Sequence, residues 1–240
     1  MDLALLTELN EARLARQATI RVTDPNDGSE RLVREATLRS DDPLHDELVA
    51  RFRSAKSGLI DTPDGKRFLT VYVPPPRIVV IGAVHITQSL GPVAAIAGFD
   101  VTIIDPRTAF ASEERFGEVK LVAKWPEDVI PAELALDPYT ALIAVTHDPK
   151  IDDYPLKAAL DAGCFYVGAL GSRKTHAARV ERLKTAGARA EAIARVAAPI
   201  GLTIGAQSPA EIAVAIVAQV IEALRLRPAH LAPMPADVWA

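Results

Sequence analysis

The chain has 240 residues, 49% of them hydrophobic and 24% charged, with a formal net charge of -4, which is enough apolar material for one large domain or for a large and a small one. The acidic balance lacks the basic footprint that nucleic acid requires, no apolar run approaches the roughly 20 residues of a membrane span, and the single cysteine, Cys164, excludes an internal disulfide. The first residues, with Asp2 and Glu8 among short apolar groups, lack the basic start of a signal peptide, so the expected location is cytoplasmic.

Leu3, Leu6, Leu9 and Leu14 recur at mostly helical spacing and predict an amphipathic helix over 3–17. Two strands follow, Ala18 to Thr23 and Leu32 to Leu38, joined by the turn Asp24-Pro25-Asn26-Asp27-Gly28. A second helix is predicted from Asp41-Asp42-Pro43, holding Leu44, Leu48, Val49 and Phe52 and stopping near Gly58. A second hairpin runs from Leu59 to Val73 around Thr62-Pro63-Asp64-Gly65. Residues 1–73 thus read as a small α+β domain, short enough to lean on a neighbour. Pro74-Pro75-Pro76 marks its boundary, because three prolines favour a stiff extended spacer and forbid helix or central strand.

From Arg77 strands and helices alternate. A strand at 77–81, a turn opening with Gly82, a helix holding Leu90, Val93, Ala94, Ile96 and Ala97 and closed by Gly98, and a strand from Val101 to Asp105 make up the first unit. Further strands are expected at Val119 to Ala123, Ala141 to Val145 and Cys164 to Gly168, with a helix from Asp153 to Ala162 and another that follows Gly171-Ser172-Arg173-Lys174 and runs through Ala186. A last helix opens with Ser208-Pro209-Ala210-Glu211: a serine cap, a proline in the first turn and a glutamate three residues after the cap. The fold class this predicts is α/β, a Rossmann-like parallel sheet with helices on both faces over 77–227, preceded by the small α+β domain and followed by an irregular tail, 228–240.

In such a sheet ligands collect beyond the carboxyl ends of the strands. The first turn reads Gly82-Ala83-Val84-His85-Ile86-Thr87, so it keeps only the first glycine of GxGxxG, and a β-branched side chain at Val84 should hold a pyrophosphate off. Asp105 falls 23 residues beyond Gly82, about where an acid meets a ribose hydroxyl. His85, Asp105 with Arg107, His147 with Asp148, and Gly171-Ser172-Arg173-Lys174 all follow predicted strands and are expected to converge on one edge. Singly each has a plainer role: a residue covering a helix, a turn cap, a solvated arginine such as Arg107 or Arg115, a turn closed by Pro149. The strongest anion site is Gly171 to Lys174, where free amides at a helix start, a hydroxyl and two cations form a phosphate cradle. Arg173 offers two parallel hydrogen bonds, which Lys174 does not. Gly201 and Gly205 allow another close backbone approach, or are loop glycines. Cys164, at the head of an apolar strand, reads as a small buried hydrophobe. No catalytic residue and no metal ligand is assigned.

Gly82-Ala-Val-His85, Asp105-Pro-Arg107, Arg115-Phe116, Thr146-His147-Asp148, Tyr166 through Lys174 and Pro199 through Ala213 occur in an order that resembles the XdhC/CoxI family of accessory proteins for molybdenum hydroxylases, in its short CoxF-like branch. The resemblance covers about residues 77 to 225. It implies a Rossmann-like domain that handles a cofactor for xanthine dehydrogenase, carbon monoxide dehydrogenase or a relative, with molybdenum cofactor as cargo, and it implies a dimer. Many members read Gly-Ala-Gly-His at the first turn, whereas this chain has Val84, and the Gly-Gly-Cys segment many carry does not occur in these 240 residues. The expected function is a non-catalytic maturation factor that binds a dinucleotide, molybdopterin cytosine dinucleotide or FAD, and passes it to apo molybdenum hydroxylase subunits. A NAD(P)- or FAD-dependent oxidoreductase is the alternative, disfavoured because Val84 obstructs the usual NAD pose and no hydride-transfer constellation is present. A scaffold that binds nothing is the third reading.

Overall fold

The structure, a computed structural model, describes residues 2–111, 113–117 and 119–226; the predicted irregular tail lies outside them. The chain divides into two compact units, the first ending at Pro74 and the second beginning at Pro75.

In the first unit α1 (Leu3–Leu14) precedes β1 (Thr19–Thr23) and β2 (Glu30–Arg34), and α2 (His45–Ser54) precedes β3 (Gly58–Thr62) and β4 (Gly65–Tyr72). The strands form an antiparallel sheet in the order β2-β1-β4-β3. Ile20, Val22 and Leu69 are buried, as are Leu48 and Phe52 of α2 and Leu9 of α1. The predicted strand Leu32 to Leu38 is cut short: Arg34 pairs with Thr19, the first residue of β1, and after one further bond, from the Glu35 amide to the Ala18 carbonyl at 3.0 Å, the chain enters a 3₁₀ turn, Glu35–Thr37.

The second unit carries β5 (Arg77–Ile81), α3 (His85–Ile96), β6 (Asp100–Ile104), α4 (Glu113–Phe116), β7 (Lys120–Val122), α5 (Pro126–Val129) and β8 (Thr140–Ala144). It continues with α6 (Pro149–Asp161), β9 (Tyr166–Ala169), α7 (Arg173–Thr185), α8 (Ala190–Ile193), β10 (Val196–Ala197) and α9 (Pro209–Leu226). The six strands are parallel, in the order β10-β9-β8-β5-β6-β7. Two cores result from the strands' alternation. Ile78 and Val80 of β5 face a cluster with Leu90 of α3 and Ile216 of α9, while Val79 and Ile81 face one with Leu156 of α6 and Leu183 of α7. The Rossmann-like sheet covered on both faces is what the sequence predicts.

Boundaries moved where caps decided them. α6 starts at Pro149 rather than Asp153, because Asp148 accepts a hydrogen bond from the Lys150 amide at 3.0 Å and proline suits a first turn. The predicted capping box at α9 forms in both directions: the Glu211 amide donates to Ser208 Oγ at 3.2 Å and the Ser208 amide donates to Glu211 Oε2 at 3.0 Å. Periodicity missed α4, α5, α8 and β10, each of four residues or fewer, which is shorter than one repeat of either pattern needs. Among the described residues no helix is long and apolar enough to cross a membrane.

Candidate functional site

The chain reverses its strand order between β5 and β8, which are neighbours in the sheet although β6 and β7 lie between them in sequence. The crevice beyond the carboxyl ends of such a pair is where open parallel sheets bind ligands. Gly82 to His85 follow β5, Asp105 to Arg107 follow β6, Thr146 to Asp148 follow β8, and Gly171 to Lys174 follow β9. Four of the predicted groups therefore share one rim.

At the first turn, Gly82 has φ 121°, and a Cβ there would lie 2.8 Å from Thr146 Cγ2 and 3.3 Å from the Thr146 amide nitrogen. Glycine is required because the β5 and β8 turns touch. Thr87, at the place of the third glycine, is fully buried, and its hydroxyl donates to the Gly82 carbonyl at 2.7 Å. The Ala83 amide donates to Asp105 Oδ2 at 2.7 Å. Val84 is the helix cap and has no capping side chain, and His85, the first residue of α3, is exposed.

Asp105 does not present a carboxylate to a ribose. It is 0% exposed and accepts from the Ala83 amide and from the Arg107 amide and guanidinium, the latter through Nε at 2.9 Å and Nη2 at 2.8 Å. Burial alone would raise its pKa, but these hydrogen bonds hold it below the usual carboxylate range. Among the described residues the pair leaves Nη1 of Arg107 uncommitted, and the guanidinium stacks over the half-exposed Phe110, 4.7 Å from the ring centre. Arg115 is a clamp on the same turn: its Nη1 donates to the Phe110 carbonyl at 2.7 Å and the Ala83 carbonyl at 3.3 Å.

His147, at φ 64°, is exposed, while Asp148 is the cap of α6. At the β9–α7 junction Gly171 has φ 142°, and Ser172 Oγ accepts from the Thr175 amide at 3.2 Å. The first-turn amides of Arg173 and Lys174 have no intrahelical acceptor. Both side chains are exposed, with no ion-pair partner among the described residues. Cations at the positive end of a helix dipole need an anion to be favourable there.

Gly201 does not open onto the rim. Its amide donates to Gln219 Oε1 at 2.8 Å, and a Cβ would sit 3.2 Å from that of Ala215, so it packs on α9. Gly205 lies exposed with open space around it. Cys164 is 0% exposed, and burial pushes its thiol up to about 12, so it is unreactive. Sequence reasoning missed Asp152 of α6 and Arg179 of α7, both buried beneath the rim; in the sequence they look like any charged residue on a helix, because only sheet order shows which helix faces are covered. Among the described residues no cluster of three or more His, Cys, Asp or Glu is arranged to hold a metal.

A family model described as the XdhC Rossmann domain matches residues 78–220. Over 156 residues, 65% of this chain, the sequence is 31% identical to a probable xanthine dehydrogenase subunit of Bacillus subtilis (strain 168), covering 45% of that protein. Over 144 residues, 60% of this chain, it is 29% identical to the molybdenum cofactor insertion chaperone PaoD of Escherichia coli (strain K12), covering 39% of it. The chain thus spans less than half the length of these curated relatives. Its fold is similar to that of a xanthine dehydrogenase from Bacillus halodurans, with a TM-score of 0.63 over 97% of this chain and 71% of that one at 24% identity.

Proposed function

The chain belongs to the XdhC family, and from that premise we propose that it is a maturation factor for a molybdenum hydroxylase such as xanthine or carbon monoxide dehydrogenase, binding a dinucleotide cofactor at the β5/β8 rim and delivering it to the apo-enzyme in the cytoplasm. The observation that supports this reading is the placement, on the one carboxyl edge of the sheet, of an open helix start after β9 bearing two cations unpaired among the described residues and, after β6, an arginine whose Nη1 is uncommitted among the described residues beside an aromatic ring. PaoD, a molybdenum cofactor insertion chaperone by name, is a relative of this chain.

The donors suit a pyrophosphate-bearing ligand. The amides of Arg173 and Lys174, with the Arg173 fork, would hold phosphate oxygens. Arg107 Nη1 would reach a second oxygen or a carbonyl, and Phe110 would lie under a flat ring. Molybdopterin cytosine dinucleotide and FAD both meet this description. Bound, such a cofactor supplies the redox chemistry of the client; this chain's residues bind and orient it, and release follows when the apo-enzyme binds it more tightly. His85 and His147 border the rim as exposed groups and would offer hydrogen bonds to the ligand. A homodimer belongs to the same reading.

Mass spectrometry of what co-purifies with the protein from cells making molybdenum cofactor tests the proposal. The expected result is a stoichiometric phosphorus-containing dinucleotide that an apo-hydroxylase removes. Protein that arrives empty and binds neither molybdopterin cytosine dinucleotide nor FAD when titrated would exclude it.

A further inference from the structure

Beneath the rim, between α6 and α7, lies a pair of opposite charges that no packing role requires. Arg179 is 2% exposed and Asp152 1%. Arg179 Nη2 donates to the Leu170 carbonyl at 2.9 Å, which puts the guanidinium directly under the Gly171 turn, leaning back toward the start of its helix as long helical side chains do. Among the described residues its Nε and Nη1 have no acceptor, and Asp152 Oδ2 has no donor. Asp152 Oδ1 accepts from Thr146 Oγ1 at 2.7 Å, so the carboxylate is tied to the β8 end of the same rim. One turn further along α7, Arg182 pairs with Asp153 through Nε and Nη2. The outer pair is satisfied and the inner one is not.

A buried guanidinium with two unsatisfied nitrogens is costly, and an apolar side chain of similar volume would fill the same space without that cost. Its charge has its greatest value when an anion arrives at the turn above it. That turn already combines a free helix start with exposed cations, whereas Arg179 is an independent, buried group held against the same backbone through Nη2, with Nε and Nη1 unsatisfied among the described residues. We propose that Arg179 is the buried cation of a phosphate site at the β9–α7 turn, with Asp152 as the counter-ion that restrains it; this rests on the cofactor reading above and assigns the charge behind it.

Arg179 acts here as a positioning residue. The phosphate meets the amides and side chains of residues 172–174, and the guanidinium beneath them adds a field that water and salt do not screen as they screen Arg173 and Lys174. Asp152 cancels part of that field while it is ionised. Around Asp152 stand Arg179 and Arg182 from α7, Arg107 from the segment after β6, the Thr146 hydroxyl after β8, and Asp153 beside it on α6; His176 faces Arg179. Burial raises the Asp152 pKa to about 6, with Thr146 and Arg179 pulling in the other direction. Anion affinity therefore rises as pH falls through about 6, because the neutral acid no longer opposes Arg179.

Calorimetric titration of the full chain with FAD and with inorganic sulfate, whose charges stay constant in this range, about one pH unit above and below that value tests the inference. Binding roughly four- to tenfold tighter at the lower pH is expected for the unmodified chain. Asp152→Asn should bind tightly at both, Arg179→Lys should keep most of the affinity, and Arg179→Met should lose it at both. The pH effect should persist when His85, His147 and His176 are each replaced by Gln. A flat wild-type profile, or one that vanishes with a histidine and survives Asp152→Asn, overturns the inference; should the Asp152 or Arg179 variants not fold, the wild-type and histidine profiles decide alone. Failure of both FAD and sulfate to bind would remove the cofactor reading of the rim itself, whereas binding indifferent to Asp152 and Arg179 removes only the buried cation.

Discussion

Two strand–turn–helix junctions stand on one edge of the sheet, Gly82 to His85 after β5 and Gly171 to Arg173 after β9, and they begin alike. Each opens with a glycine at positive φ, 121° and 142°, and each leads into a helix of 12 residues or more. At the first, the polar groups are used internally: Asp105 takes the Ala83 amide, Thr87 takes the Gly82 carbonyl, and Arg115 covers the Ala83 carbonyl. At the second, the cap closes with a single serine hydroxyl, and the first-turn cations have no partner among the described residues. The comparison teaches that glycine geometry alone does not make a phosphate site. Donors left over after the turn has satisfied itself do.

The largest expected effect tests the closed state of the first turn. Asp105→Asn puts an amide against four donors and leaves Arg107 without its buried partner, so unfolding free energy should fall by about 3–5 kcal/mol in a denaturant titration. Because the Asp105 pKa is held low in the fold, its contribution is present above the unfolded value near 4 and is lost as pH falls through the lower folded value. The variant should therefore flatten the acid side of the stability profile, and a variant as stable as the parent would break the account of this turn.

Next comes the glycine pair. Gly82→Ala drives a Cβ against the Thr146 backbone and methyl and should cost roughly 2–4 kcal/mol. Gly171→Ala meets only the side chain of Thr175, at 3.1 Å, and should cost about 1–2 kcal/mol. Equal losses would mean that the β5–β8 contact is not what fixes Gly82. In ligand titrations Arg173→Ala should weaken cofactor binding by about 1.5–3 kcal/mol, the value of a hydrogen bond to a charged group; unchanged affinity would take that residue out of the site. The smallest effect belongs to Val84→Gly, which opens the first turn and should tighten a pyrophosphate lying there by less than about 1 kcal/mol. No change with FAD or a nicotinamide dinucleotide would mark the first turn as structural, and a gain larger than the Arg173 loss would reverse the ranking of the two turns.

Much of the fold was legible in the sequence. Apolar runs followed by Gly82 and Gly171 mark where strands stop and helices start, Gly98 marks where a helix ends, and the Ser208–Glu211 box fixes the start of α9, because these are local signals carried by backbone conformation and by groups three residues apart. The gathering of His85, Arg107, His147 and Arg173 at one rim was also legible, since strands that run parallel deliver their ends to one edge. The roles of Asp105 and Gly201 were not. From spacing, Asp105 looked like a ribose ligand and Gly201 like an opening for backbone approach, yet the first faces inward onto Ala83 and the second packs on Ala215.

The sequence by itself determined the alternation of elements, the family and the set of polar groups that end its strands, because periodicity, caps and turn glycines act within a few residues. Only the tertiary structure decided which of those groups remain available. Whether a donor is free depends on what lies across the sheet from it: Asp105 from the neighbouring strand closes one turn, while Arg179, two helical turns into α7, underlies the other. Contacts between residues so far apart in sequence leave no mark in local pattern, and they settle which amides and charges a ligand can still meet.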